Sequence, residues 1–531
     1  MTAHTAIGRR AGRREWTGLA VLALPTLLLA LDVSVLHLAA PHLSADLNPT
    51  STQLLWILDI YGFMIAGFLV TMGTLGDRIG RRRLLLIGAT AFGAASVVAA
   101  YSTSAEMLIA TRALLGIAGA TLMPSTLALI SNMFSDARQR ATAVGVWMMS
   151  FMSGVALGPV IGGMLLENFW WGSVFLLGVP VMLLLLVTAP FLLPEYRDAH
   201  AGRLDLVSVG LSLAAAIPVI YGMKELAKEG LEPLPVAALV AGAAFGLLFV
   251  RRQRTLTAPL LDLRLFTDRT FTSALTVMLV GVATSGGVML LFIQYLQMVR
   301  GYSPIVAGLW MLPATGAMVL GSMFAPVLAR RVPPGQLVAG GLVLTTLGYL
   351  ALALAGGSGG FAFAVVGVSF GFLGLAPTMV LGTDLVLGSA PPAKAGSASS
   401  MSETAGELGM ALGVALLGTV GASVYRARMG GVAPADVPDE AAALAEDSLP
   451  GALTVAGELP REVAAPLLES ARDAFTSGMS LVALLAAAVA GALSGLALVT
   501  LRRVRPLGEA EGGSEQEPQP QPQPQSAVEV S

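Results

Sequence analysis

Fourteen long apolar stretches, divided by short polar turns, constrain this chain more than any other feature. They run over residues 17–40, 54–75, 83–101, 106–130, 141–166, 172–193, 205–223, 234–250, 271–296, 305–328, 335–356, 359–384, 398–422 and 476–500. Each is close to the roughly 20 mostly apolar residues a helix needs to cross a bilayer. In lipid the backbone must satisfy its own hydrogen bonds, which favours helices for such stretches. Composition agrees, with 55% hydrophobic and only 12% charged residues, about half the charge of a soluble domain. The chain reads as an all-α polytopic protein of the cytoplasmic membrane.

Charge orients it. With the N-terminus inside, 23 of the 31 Lys and Arg residues fall in cytoplasmic segments, seven fall outside, and Arg112 alone sits within a span. That bias fits an even number of spans with both termini cytoplasmic. The arginines at positions 9, 10, 13 and 14 superficially resemble the start of a signal peptide. The run that follows is too long for one and carries Asp32, so it reads as a retained first span.

The expected organisation is a basic N-terminus (1–16), a six-helix bundle (17–193), two inserted helices (205–250), a cytoplasmic linker (251–270), a second six-helix bundle (271–500) and a tail (501–531). Parallel halves around a central site are a recurring transporter plan. The loop 425–473 is acidic and rich in Ala and Pro, and is expected outside as a helical hairpin or a lid. Pro-Gln repeats at 518–525 mark the tail as disordered. There are no cysteines, and the four histidines are scattered, so neither a metal nor any other cofactor is expected. No phosphate-binding GxxxxGK[ST] string occurs.

Within the fifth stretch lies Gly154-Val-Ala-Leu-Gly158-Pro159-Val-Ile-Gly162-Gly163. Gly154 and Gly158 form a GxxxG pair that lets another helix approach its backbone. Pro159 should bend the helix. Such a helix suits a seam between two moving bodies; the alternative is an ordinary close-packed helix with a kink. Between the second and third stretches lies Gly73-Thr-Leu-Gly-Asp77-Arg78-Ile-Gly80-Arg81-Arg82-Arg83. Asp77 can pair with an arginine or sit at a helix N-terminus, and the arginines can bond helix carbonyls or lipid phosphates. A charge lock at the inner edge of two helices is a natural bistable element. The alternative is topology alone.

Charges inside spans cost about 2.5–3.5 kcal/mol each at mid-helix, so they are functional candidates by default. Asp32, Asp59 and Arg112 fall at similar depth in the outer half of the membrane, where they can form one polar cluster. That cluster could carry a proton, or be a static ion pair. Glu403 and Glu407 are spaced i,i+4 and share a face of the thirteenth span. They suit a cationic substrate or proton coupling, and the residues alone do not divide those roles. Asp384 reads as an interfacial cap. Trp56, Tyr61, Trp147 and Met148 are candidate pocket residues, since aromatic faces attract organic cations and Met adapts to varied shapes.

These features together resemble the fourteen-helix drug–proton antiporters of the major facilitator superfamily, near the quaternary-ammonium and dye exporters. The resemblance covers the whole membrane region. It rests on Leu31-Asp32-Val33-Ser34-Val35, Asp59-Ile60-Tyr61, the Gly73–Arg83 loop, Leu108–Arg112 through Gly116, Gly154–Gly163, Phe169-Trp170-Trp171 and Glu403–Gly409. It implies two six-helix bundles plus two inserted helices, proton transfer involving Arg112 and Asp32, cation binding at Glu407, and gating of the cytoplasmic side by Asp77, Arg78 and Arg81. Asp59 with the proton-coupling cluster, Glu403 with the substrate site, and Gly73, Gly80 and the Gly154–Gly163 string with the gate are read from the residues themselves. The tenth span lacks the acid that some members carry there, which puts divalent cations in doubt. The expected function is proton-driven export of lipophilic, mainly cationic drugs, dyes or antibiotics, by a transporter and not an enzyme. The alternative is a proton symporter for a small metabolite. Expected partners are small-molecule drugs, protons and the lipid bilayer, with no nucleic acid, the chain acting as a monomer.

Overall fold

The computed structural model describes residues 11–47, 49, 51–197, 205–229, 232–256, 259, 261–356, 360–391, 394–431, 439–502 and 504. The distal part of the tail and most of the basic N-terminus lie outside the described residues. So do the side chains of Asp59 and Pro159.

Among the described residues every regular element is a helix. In order they are α1 (Arg13–Leu47), α2 (Ser51–Ile79), α3 (Arg81–Ala100), α4 (Ala105–Met133), α5 (Ala137–Asn168), α6 (Ser173–Leu176), α7 (Gly178–Leu192), α8 (Leu206–Glu229) and α9 (Pro233–Thr255). After a 3-10 turn at Leu263–Thr267 come α10 (Arg269–Gln294), extended by a π-turn at Tyr295–Val299, then α11 (Pro304–Leu328), α12 (Pro334–Ala353), α13 (Gly360–Ser389) and α14 (Ala395–Met429). The chain closes with α15 (Asp439–Asp447), α16 (Leu449–Glu458) and α17 (Arg461–Thr500). Among the described residues thirteen helices are long and apolar enough to cross a membrane, and the two parts of the bent α5, taken as one span, make a fourteenth.

Capping residues set several starts. Ser104 accepts from Met107 N–H at α4, Asp136 from Gln139 N–H at α5 and Ser303 from Val306 N–H at α11, satisfying donors a helix leaves open. Proline opens α9, α11 and α12, where its missing N–H costs nothing.

In the first half α1 packs on α5, α2 on α4, and α3 on α4 and α7; in the second, α10 packs on α14, α11 and α12 on α13, and α12 on α17. The halves meet through α2 with α14 and α5 with α11 and α13. The α8–α9 pair is a hairpin whose α8 touches both α2 and α14. Phe63 and Ala66 of α2, Ile220 and Met223 of α8 and Ala415 of α14 form one buried cluster there. At its cytoplasmic end Arg252 donates twice to Asp205, at 2.7 and 3.0 Å. Those bonds and one from Ser208 hold the Asp205 carboxyl well below the usual carboxylate range.

The long outer loop is shorter than its composition implies. α14 continues to Met429 and α17 begins at Arg461, leaving two short helices between them. The Tyr425 hydroxyl donates to the Ala445 carbonyl at 2.9 Å. Leu449, Ala452 and Val455 of α16 share a core with Leu467 and Ala471 of α17. Apolar packing, not span hydropathy, carries these helices beyond the bilayer.

Candidate functional site

The central polar site is built where α1, α2 and α4 cross. Gly116 of α4 has no side chain, and a Cβ there would meet the Tyr61 backbone at 2.5 Å. That closeness brings Arg112, one turn earlier, against both neighbours. Its Nη1 donates to Asp32 Oδ2 at 2.6 Å and its Nε to the Ile57 carbonyl at 3.3 Å. The side chains are 1% and 10% exposed. The guanidinium carbon lies 4.4 Å from the Tyr61 ring centroid and 6.0 Å from that of Phe175, so aromatic faces solvate the cation where water does not. Arg112 comes seven residues into α4, about 10 Å along the axis from its outer end.

Glu403 and Glu407 lie on the face of α14 that looks across the interface. On the same stripe, Ser400 abuts Gly73 of α2, and Ala411 borders the cluster shared with α8. Glu407 is exposed, Glu403 half-buried. α14 packs against both α2 and α4, the helices that carry Tyr61 and Arg112.

The candidate aromatic pocket is only partly open. Trp56 is 37% exposed and stacks on Tyr221 of α8, centroids 6.4 Å apart. Tyr61, Trp147 and Met148 are buried inside the first bundle. The Trp147 indole N–H donates to Thr126 Oγ1 at 3.1 Å, a partner a buried tryptophan needs. In this conformation these three are core residues, and Tyr61 faces Arg112 instead of an open cavity.

The inner loop forms a lock. Asp77 Oδ1 accepts from Arg81 Nε and Nη2 at 2.9 and 2.7 Å, and Arg81 Nη1 reaches the Ala128 carbonyl at 3.3 Å. Asp77 also accepts from the backbone N–H groups of Gly396 and Ser397 at 3.1 and 3.0 Å. It therefore caps the N-terminus of α14, in the other bundle, where the helix dipole favours an anion. Gly73 makes this approach possible, since a Cβ would strike the Gly396 carbonyl and Ser400 at 2.6 Å. Gly80 has φ +111°, a conformation that favours glycine, and Glu195 occupies the space beside it. Arg78 is half-buried alongside.

Composition gave no hint of a second inner contact. Arg140 Nε of α5 donates to Asp384 Oδ1 of α13 at 2.7 Å, with Asp384 3% exposed. Asp384 is thus an inter-bundle partner, not an interfacial cap. Gly145 of α5 lies against Ser322 and Pro326 of α11, each 3.0 Å from a Cβ. The glycine string farther along α5 behaves differently. Gly154 meets the Leu27 carbonyl and Ala30, and Gly162 meets Val35, all on α1 of the same bundle. Gly158 is buried, and nothing lies near Gly163. In this conformation the string binds α5 to α1, and Gly145 holds the seam between bundles. The two straight parts of α5, Ala137–Val155 and Val160–Asn168, meet at 41°, as a proline between them requires.

The sequence matches the Major Facilitator Superfamily over residues 22–414. The chain belongs to the Major Facilitator Superfamily. It is therefore a multi-pass membrane transporter. It is 42% identical to multidrug efflux pump LfrA of Mycolicibacterium smegmatis over 494 residues, 93% of this chain and 98% of that protein. It is 36% identical to methyl viologen resistance protein SmvA of Salmonella typhimurium, covering 87% and 93%. It is 33% identical to the tetracenomycin C resistance and export protein of Streptomyces glaucescens, covering 95% and 94%. Among solved structures, the human organic anion transporter MFSD10 superposes with a TM-score of 0.58 at 18% identity, over 90% of this chain and 99% of that one, a likeness of fold.

Proposed function

We propose that this transporter exports lipophilic, mainly cationic drugs in exchange for protons. The observation that carries the reading is the Asp32–Arg112 pair, with the exposed Glu407 on α14, a helix that packs against both α2 and α4. The names of the relatives support export, and methyl viologen is an organic dication. A proton entering from outside would neutralise Asp32 and free one positive charge on Arg112. A drug cation at Glu407 adds a positive charge to the same low-dielectric space. Like charges repel in a low-dielectric interior, so the proton and the drug each weaken the other's hold. Coupling of this kind is reciprocal, which exchange requires.

The cytoplasmic lock then sets which side opens. Asp77 on α14 and Arg140 on Asp384 hold the inner ends together in this conformation. Drug loading from the cytoplasm needs both contacts broken.

Inverted membrane vesicles carrying ethidium under an imposed pH gradient test the reading. Wild type should accumulate dye until the gradient is collapsed. Asp32→Asn should abolish accumulation, and Glu407→Gln should weaken cationic dyes more than a neutral antibiotic. Gradient-driven accumulation that survives Asp32→Asn would refute proton coupling at this site, and movement of substrate with the proton would favour symport.

A further inference from the structure

A recess of about 430 Å³ opens at the cytoplasmic edge of the first bundle. It lies between the end of α2, the first turns of α3 and the stretch after α7. Leu86 and Ile87 belong to its apolar wall, and Arg82, Arg83, Glu195 and Arg197 to its rim. Arg82 is already committed. Its guanidinium donates to the Pro190 and Leu193 carbonyls at 3.2 and 3.0 Å, and its backbone N–H donates to Glu195 Oε1 at 3.1 Å. Those carbonyls lie at the end of α7, where a helix leaves acceptors open. Arg82 and Glu195 therefore stabilise the fold and each other.

Arg83 and Arg197 are different. Both are exposed, and neither has a hydrogen bond or ion pair with any described residue. Ile87 follows Arg83 by one helical turn, on the same face, and is 53% exposed. Two uncommitted guanidiniums thus stand at the rim of an apolar wall, beside the arginine-rich start of α3. Guanidinium groups grip phosphate through paired N–H donors, and basic pockets on the cytoplasmic side suit anionic headgroups. We propose that this recess binds an anionic phospholipid of the cytoplasmic leaflet, its phosphate between Arg83 and Arg197 and an acyl chain along Leu86 and Ile87.

Such a lipid would bear on the lock through three consecutive residues. Glu195 accepts from the Arg82 N–H. The Tyr196 carbonyl accepts from the Arg81 N–H at 3.1 Å, and its ring lies 4.9 Å from the Arg81 guanidinium. Arg197 follows, on the recess. Arg81 in turn grips Asp77, which caps α14. A lipid that fixes Arg197 therefore steadies the segment behind the lock and favours closure on the cytoplasmic side.

The test uses the full chain in phosphatidylcholine nanodiscs containing phosphatidylglycerol, with retained lipid read by native mass spectrometry. Wild type should retain phosphatidylglycerol over phosphatidylcholine. Arg83→Gln with Arg197→Gln should lower that retention roughly tenfold, while Arg330→Gln with Arg331→Gln, a basic pair elsewhere on the same side, should not. Phosphatidylglycerol should also shorten the spin-label distance between the inner ends of α2 and α14. No preference for the anionic lipid, an equal loss in the control pair, or full displacement by inorganic phosphate would overturn the lipid site. An unchanged distance would overturn its effect on the lock. Lipid retention is read without transport, so either proposal can fail alone.

Discussion

Two arginine–aspartate pairs of nearly equal length lie in different mechanical settings. Arg112–Asp32 spans 2.6 Å within the first bundle, and Arg140–Asp384 spans 2.7 Å between the bundles. A rigid-body motion of the bundles leaves the first pair intact and pulls the second apart. Only a change of charge breaks the first; motion alone breaks the second. The same contrast separates the glycines of α5. Gly154 packs inside a body, against α1, and Gly145 packs between bodies, against α11. On the proposed reading, the first pair would carry the proton and the second would gate.

The sharpest way to break this comparison is to exchange the charges of each pair. Arg112→Asp with Asp32→Arg should remain inactive in dye export, because the exchange also takes the guanidinium from the Tyr61 ring and the Ile57 carbonyl. Arg140→Asp with Asp384→Arg should regain most of the transport that either single change loses. Equal rescue at both sites would sink the distinction.

Arg112→Gln should have the next largest effect. It leaves Asp32 buried without its countercharge, a loss of about 3–5 kcal/mol, seen as a lower melting temperature as well as lost export. Arg140→Gln should cost less in stability because Arg140 is 17% exposed. Its main sign should be faster labelling of single cysteines introduced at the inner ends, from weaker closure on the cytoplasmic side.

Glycine substitutions extend the comparison to packing. Gly154→Val must displace the Leu27 backbone and should lower the melting temperature, with overpacking of about 1–3 kcal/mol. Gly145→Ala meets its neighbours at 3.0 Å and should shift the balance of open and closed states more than the melting temperature. Gly163→Ala meets nothing nearby and should be close to neutral by both measures.

The smallest effect belongs to the clasp of the inserted hairpin. Asp205 has its carboxyl held below the usual range by Arg252, so its contribution is present near neutral pH and fades as pH falls below the value of the unfolded carboxyl. Asp205→Asn should remove that acid-dependent part from a melting curve while leaving export at neutral pH nearly unchanged.

Much of the architecture was legible because lipid imposes a simple rule on length and polarity. The helix starts at Ser104, Asp136 and Ser303 follow local capping chemistry that the hydropathy of the spans does not mark. The inner loop announced itself through spacing, and both readings of Asp77, as partner of an arginine and as a helix cap, hold at once. Arg140 and Asp384 were harder to see. They lie 244 positions apart, and each has an ordinary local role, as a positive-inside residue and a helix-end acid. Trp147 and Met148 looked like pocket residues because hydropathy does not distinguish a side chain facing a cavity from one facing a neighbouring helix.

The residues by themselves determined that this chain lies in a membrane and which stretches are long and apolar enough to cross it. Those properties follow from transfer of each segment out of water, which depends on composition along the chain. Only the tertiary structure decided which charges meet, which helix each glycine admits and which contacts join one bundle to the other. Those depend on the rotation and depth of each helix against its neighbours, set by packing among segments far apart in sequence.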